Sequence, residues 1–269
     1  LAIVCGFLVA SVVLVVAGYN PAEAFGALFH GIFSKPKYIS NVIIKATPIT
    51  LTALSVAFAY KVGMFNIGAE GQYIVAAVAS TIVGYLFNLP AILQVPLVVM
   101  TGMVAGALYG GIVGFLKAKF GIHEVLTSIM LNWIALYLSN FVVQSDAFHQ
   151  PNTTATYPVN PSSYTMLLPE WKTSDEGIAF LKQYDWLSEV MLKTDINFGF
   201  LVAIVAAVVI WFLLYRSTKG FEFRAVGANR DAAEFAGINV NRNITQAMLI
   251  AGALSGLAAV MMITGTNPH

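Results

Sequence analysis

The stretch from Tyr60 to Tyr73 reads YKVGMFNIGAEGQY, and it interrupts a chain that is almost unbroken apolar sequence on either side. Within it Gly63, Gly68 and Gly71 stand beside Asn66, Glu70 and Gln72. Glycine permits backbone shapes that other residues resist. A broken helix at membrane depth is tolerable only where it is buried in protein or lines a cavity. The rival reading is a plain turn between two spans, which calls for more charge than Lys61 and Glu70 supply. The pattern therefore points to a re-entrant, structurally constrained element.

The surrounding composition sets the class. The 269 residues are 58% apolar and 10% charged, with a mean hydropathy of +0.77, whereas a soluble domain carries about a quarter charged residues. An integral membrane protein surrounded by lipid follows. The net charge is +1 and all four arginines fall within 216–242, which is no groove-lining pattern, so no nucleic-acid partner is expected. Cys5 is the only cysteine, which excludes disulfides within the chain and cysteine-rich metal sites. The sequence starts at Leu1 inside an apolar run, read here as a span whose flank is missing rather than a cleaved signal peptide.

About 20 apolar residues cross roughly 30 Å of hydrocarbon. By that test seven spans are expected, at 1–18, 41–60, 72–88, 95–116, 124–143, 197–215 and 244–263. They predict an all-α polytopic membrane protein, one helical bundle with a broken helix. No linker, charge run or repeat divides the chain, so 1–269 is read as a single transmembrane domain. Segment 144–195 sets three lysines against seven acids, a balance of −4, and 216–242 sets five basic residues against three acids, a balance of +2. Basic loops face the cytoplasm. That rule makes 144–195 an extracytoplasmic insertion and puts 216–242 inside with Lys117 and Lys119, although Lys35, Lys37 and Lys45 then lie outside. The insertion is either a cap over an external opening or a docking surface. Between the first two spans, Asn20, Pro21 and Glu23 are placed to cap an amphipathic surface helix.

The motifs exclude more than they assign. There is no G-x-x-x-x-G-K-[ST] loop, so the chain does not hydrolyse ATP by that route. No H-E-x-x-H, paired cysteines or G-x-S-x-G occurs, and neither a catalytic residue nor a metal site is expected. Gly102, Gly106, Gly110 and Gly114 recur every fourth residue, and Gly252 and Gly256 repeat the device in the last span, which makes smooth faces for close helix packing. On the fifth span Glu124, Ser128 and Asn132 form a polar stripe continued by Ser139 and Asn140. Such residues face the bundle interior, either along a pathway or in interhelical hydrogen bonds.

The segment FRAVGANRDAAEFAGINVNRN, Phe221 to Asn243, reads as a short capped cytoplasmic helix. Asn229 is its cap, Asp231 complements its positive end and Gly237 ends it, giving about eight residues or roughly 12 Å. Ala232, Ala233 and Ala236 keep it slim, Phe235 is an apolar knob, and Arg230 and Glu234 are charged flanks. That shape suits a groove on another protein, though a solvated connector helix would look the same.

Three separated stretches, GMFNIGAEGQ, LKAKFGIHEVLTSIMLNWIA and FRAVGANRDAAEFAGI, together resemble the permease subunits of bacterial ABC importers for simple sugars, branched-chain amino acids and nucleosides. They most resemble the nucleoside branch that works with BMP-type lipoproteins. The resemblance implies a multi-pass protein of the bacterial cell membrane that forms a nucleoside translocation path. It implies that Asn66, Gly68, Glu70, Gly71 and Gln72 lie at the broken helix near that path, with Ser128 and Asn132 in the signature of the following half. It implies ATPase coupling through Ala225–Ile238, including Gly227, Asn229, Arg230, Asp231, Ala233, Glu234, Phe235 and Gly237. Implied partners are an ABC ATPase that binds ATP and magnesium itself, a second related permease, and an extracytoplasmic substrate-binding lipoprotein. No cofactor belongs to this chain. Family members continue through further spans beyond GTNPH, so carboxy-terminal sequence is expected to be missing. Glu70 is expected to fix the break rather than touch substrate. Alternatives are a sugar or branched-chain amino acid permease of the same type, or an ion-coupled secondary transporter that uses Glu70.

Overall fold

The structure, a computed structural model, describes residues 1–266; the NPH end of the chain lies outside the described residues. Thirteen α-helices follow in order: α1 (Ala2–Val16), α2 (Pro21–Phe33), α3 (Pro36–Lys61), α4 (Ala69–Leu86), α5 (Ala91–Phe120), α6 (Glu124–Val143), α7 (Pro169–Thr173), α8 (Asp175–Leu181), α9 (Asp185–Met191), α10 (Gly199–Arg216), α11 (Thr218–Ala228), α12 (Arg230–Phe235) and α13 (Val240–Gly265). No extended strand occurs among the described residues.

Helices occupy all seven expected spans. Five of them, α3, α5, α6, α10 and α13, are long and apolar enough to cross a membrane. The other two differ for visible reasons. The helix α1 has 15 residues, about 22 Å at 1.5 Å per residue. The helix α4 has 18 residues but opens on Glu70, Gly71 and Gln72. The family of apolar helices, the polar break and the absence of strands among the described residues make the chain an all-α polytopic membrane protein.

The contacts separate into two compact units. One comprises Leu1–Ile43 with Glu170–Ile196. In it Asn20 caps α2 as expected, accepting from the Ala22 amide at 3.0 Å while its own amide donates to Glu23 at 3.2 Å. Phe7 and Phe25 meet edge to face, and Trp171, Phe180 and Tyr184 form a ring chain from α7 through α8 to the start of α9.

The other unit comprises Ile44–Pro169 and the described residues from Asn197 on. Its axis is α13, buried along most of the stretch from Ala247 to Gly265 and packed chiefly on α5 and α4. Small residues make that packing possible. Gly102, Gly106, Gly110 and Gly114 are all buried on α5. A methyl group on Gly106 would collide with the Gly252 carbonyl oxygen, and one on Gly252 with the Gly106 carbonyl oxygen. On Gly110 it would come to 2.6 Å from the Met248 carbonyl oxygen. The glycine stripe is thus a backbone-to-backbone contact between α5 and α13.

At one end of this unit the segment after α6 is stitched onto the helix ends. The Asn160 amide donates to the Gly84, Tyr85 and Phe87 carbonyls, satisfying the last turn of α4. Gln94 donates to Phe87 O at 2.8 Å and to Ser163 at 3.1 Å. At the opposite end lie α11 and α12.

Replacing Gly106 or Gly252 with valine is expected to force α5 and α13 apart and to destabilise the bundle by about 1–3 kcal/mol. Thermal unfolding in detergent should fall clearly for both variants and stay unchanged for Gly26→Ala, since nothing lies within 4 Å of that position.

Candidate functional site: the helix break and its tie to the coupling segment

The break begins where α3 ends. Gly63 adopts φ +73°, the left-handed region that favours glycine. The Met64 amide returns to Ala59 O and the Gly63 amide to Tyr60 O, each at 3.0 Å, the paired bonds of a Schellman stop. Residues 62–68 then run without helical structure until α4 starts at Ala69.

Side-chain amides hold this segment. Asn66 and Gln72 are 2% and 1% exposed. The two amides bond reciprocally, Asn66 Nδ2 to Gln72 Oε1 at 3.0 Å and Gln72 Nε2 to Asn66 Oδ1 at 2.9 Å. Asn66 Nδ2 also donates to Ser55 Oγ at 3.0 Å. Ser55 donates to Ala251 O at 2.6 Å and accepts from Ser255 at 3.0 Å, which extends the chain of bonds from the break into α3 and α13.

A second clamp comes from α6. Asn132 Oδ1 accepts from the Gly71 amide at 2.9 Å, and its Nδ2 donates to Ile67 O at 3.2 Å. One side chain thus serves a free N–H in the first turn of α4 and a carbonyl of the break. Gly71 is required there, because a methyl group would come to 2.7 Å from Asn132 Oδ1. Ser128, one turn away, is 0% exposed, and a methyl group on Gly68 would lie 3.1 Å from its hydroxyl. The structure therefore gathers Asn66, Gly68, Gly71, Gln72, Ser128 and Asn132 at one place. Glu124, on the same face of α6, is turned instead to Lys117 at 2.8 Å.

Glu70 does not do what was expected of it within the break. It is exposed in the first turn of α4, with no hydrogen bond or ion pair among the described residues. The amides, neutral and able both to donate and to accept, satisfy a buried backbone without the cost of burying a charge.

The opposite side of the break meets α11 and α12. Arg230 Nη2 donates to Gly63 O at 2.8 Å and lies 3.8 Å from Met64 Sδ. Gly227 approaches so closely that a methyl group there would collide with the Lys61 carbonyl oxygen. Met64, Val226 and Ala233 share a buried cluster with Phe58 and Phe223, whose rings meet edge to face at 5.5 Å. Arg230 was read as a charged flank of the short helix; its guanidinium also caps a carbonyl at the break.

The helix α12 has the expected cap, with Asn229 Oδ1 accepting from the Ala232 amide at 3.1 Å, and Gly237 stops it at φ +83°. It has six residues rather than about eight. Phe235 is 97% exposed, with Asp231 and Glu234 also exposed beside it. The sequence reading missed α11 altogether. Its signal was Ser217, whose hydroxyl accepts from the Gly220 amide at 2.9 Å as an N-cap. In α11 Lys219 at 2.6 Å, and then the Asn243 amide at 3.0 Å, hold the Glu222 carboxyl below its ordinary range. A depressed folded value contributes stability that is present above the ordinary carboxylate range and is lost as pH falls below that range through the lowered folded value.

Asn66→Leu leaves the Gln72 amide buried without its partner and is expected to cost about 1–3 kcal/mol. Glu70→Gln is expected to leave stability unchanged. Thermal unfolding of the two purified variants distinguishes them, and equal losses would show that the amides do not hold the break.

Comparison with known proteins places this geometry. Residues 38–268 match the family described as branched-chain amino acid transport system / permease component. The guanosine ABC transporter permease protein NupP of Bacillus subtilis is 40% identical over 99% of this chain and 71% of its own length. The nucleoside ABC transporter permease protein NupB of Lactococcus lactis is 36% identical over 97% of this chain and 68% of its own. The glucose ABC transporter permease protein TsgB13 of Haloferax volcanii is 30% identical over 99% and 67%. No solved structure matches. A family match across most of the chain, joined to five membrane-crossing helices and a clamped helix break, identifies the protein as a multi-pass membrane permease component of an ABC importer, a member of the branched-chain amino acid transport system permease family.

Proposed function

We propose that this permease carries nucleosides across the bacterial cell membrane, with α12 docking into a separate ABC ATPase and the helix break transmitting the motion of α12 to the path. The observation that carries this reading is the tie between the two elements: Arg230 holds the Gly63 carbonyl at 2.8 Å, and Gly227 packs backbone to backbone on the end of α3.

The end bearing α11 and α12 is then the cytoplasmic end, in keeping with its basic residues. Phe235 projects from α12 almost fully exposed, an apolar anchor with Asp231 and Glu234 around it. The buried cluster below it holds α12 by Ala233, so a push on Phe235 is resisted by packed side chains rather than by a flexible loop. ATP and magnesium belong to the ATPase. A second related permease completes the path, and an extracytoplasmic lipoprotein delivers substrate to the opposite end. Asn66, Gly68, Gly71, Gln72, Ser128 and Asn132 form or support the gate of that path, with Glu70 exposed beside it.

Nucleosides rather than sugars are favoured because the relatives named for guanosine and nucleosides are 40% and 36% identical. The glucose permease at 30% keeps sugar as the second reading.

Phe235→Asp is expected to prevent co-purification of the ATPase while the bundle stays folded. Arg230→Ala is expected to keep the ATPase bound and hydrolysing ATP while uptake of labelled guanosine falls at least about tenfold, a coupling loss of roughly 1.4 kcal/mol or more. Uptake by the unaltered transporter should be competed by nucleosides and not by ribose or branched-chain amino acids. Competition by sugar alone would replace the nucleoside reading with the second one. Parallel loss of hydrolysis and uptake in Arg230→Ala would show a docking residue, not a link.

A further inference from the structure

At the end that bears α11 and α12, three cationic side chains lie over aromatic rings. Lys119 Nζ is 5.4 Å from the Phe115 centroid and 5.6 Å from that of Phe120, while Arg216 lies 5.7 Å from Trp211 and Arg224 lies 5.2 Å from Tyr215. Aromatic rings and long basic side chains with apolar stems collect where hydrocarbon gives way to lipid headgroups. The spanning helices reach past that level. With 30 and 26 residues, α5 and α13 are about 45 and 39 Å long, against roughly 30 Å of hydrocarbon.

There the last turn of α5 and the first turns of α13 border an open groove of about 470 Å³. The antiparallel register of the two helices creates it. A methyl group on Gly106 would meet Gly252, one on Gly110 Met248 and one on Gly114 Thr245, so the following turn of α5 falls beside Asn241 and Arg242. Lys119 and Arg242 both line the groove, both are exposed, and neither forms an ion pair among the described residues. Acids on the neighbouring helices are engaged elsewhere: Glu124 with Lys117 at 2.8 Å, and Glu222 with Lys219 at 2.6 Å and Asn243 at 3.0 Å. Glu234 lines an adjoining hollow and not this groove. Asn239, Asn241 and Thr245 add neutral polar groups to the wall, and Phe115 supplies its apolar side.

The groove continues beyond its charges. Phe115, Ile112, Leu108 and Val104 are all exposed on α5, and the spacing 104, 108, 112, 115, 119 keeps them on one helix face with Lys119. A ligand with an anionic head and a long apolar tail matches both parts. Free phosphate would leave the apolar strip uncovered. An acidic protein surface would meet the two cations but not a strip that runs down into hydrocarbon.

We propose that the groove between the end of α5 and the start of α13 binds an anionic phospholipid, with its phosphate between Lys119 and Arg242 and an acyl chain along Phe115, Ile112 and Leu108. Basic pockets between spanning helices hold such headgroups by charge. Headgroup hydroxyls then meet Asn241 and Thr245. The site lies next to the coupling segment, since Gly237 ends α12 and Val240 begins α13. A lipid held by Arg242 braces the joint between the two, whatever substrate the permease carries.

The test places the full-length chain with its native partners in phosphatidylcholine nanodiscs that contain phosphatidylglycerol with a diazirine close to its headgroup. Irradiation and peptide mapping should put label on the peptides holding Phe115–Phe120 and Asn239–Thr245. The matching phosphatidylcholine probe should label them at least about fivefold less. Lys119→Gln and Arg242→Gln should each lower the phosphatidylglycerol label about fivefold, as expected for one cation lost beside an anionic headgroup. Lys119→Arg keeps the charge and should keep the label. Equal labelling by the two lipids, label on other peptides only, or label unchanged in both glutamine variants would overturn the site. Displacement by inorganic phosphate would show a phosphate site without a lipid. Label that appears only when the ATPase is left out would show a protein contact instead, and either result would also overturn the proposal.

Discussion

A backbone that leaves the helix inside an apolar bundle exposes N–H and C=O groups that lipid cannot satisfy, and each unsatisfied group costs several kcal/mol. Residues 62–68 leave the helix beside such a bundle, and Asn132 answers on the backbone at Ile67 and Gly71 while Asn66 and Gln72 bond each other beneath it. Much of the remaining architecture serves this arrangement. Ser55 and Ser255 carry the network into α3 and α13. The close contact of α5 with α13 brings Gly110 near enough that any side chain there would press on the Gln72 amide, 3.0 Å from where a methyl group would sit.

Neutral amides give this site a particular mechanical character. Asn66 is bonded to both Gln72 and Ser55, so a shift of its amide breaks bonds at two other side chains and one geometry is favoured. The break is therefore a stiff joint rather than a loose loop. Stiffness matters for the proposed coupling, since on that reading force arriving at α12 would reach the bundle only through packed contacts. Arg230 and Gly227 supply those contacts directly at the end of α3, one residue type through a charged hydrogen bond and the other through the lack of a side chain.

Much of this was legible in the sequence, and the rest was hidden for identifiable reasons. Periodicity and length located all seven apolar helices, and the fourfold glycine spacing marked the α5 face that packs on α13. The YKVGMFNIGAEGQY stretch announced a break because its composition is wrong for lipid. Its internal wiring was not legible, because the partners are far apart in sequence: Asn132 is 61 residues from Gly71, and Arg230 is 167 residues from Gly63. Charge drew attention to Glu70, while the neighbouring side chains that hold the break, Asn66 and Gln72, are uncharged and stand on either side of it. A loop rich in basic residues concealed α11, whose only local signal was the Ser217 cap. The grouping of Phe148 and Tyr157 with Tyr85 likewise depends on a chain reversal held by Asn160, which composition does not show.

The stiff-joint claim is tested most directly by hydrogen–deuterium exchange in the assembled transporter, comparing the ATP-free and ATP-bound states. Amides of residues 62–72 should change protection together with those of residues 218–238, by similar amounts and over the same range of nucleotide concentration. A change confined to residues 218–238, with residues 62–72 unaltered, would show that the coupling segment moves without the break and would contradict the linkage.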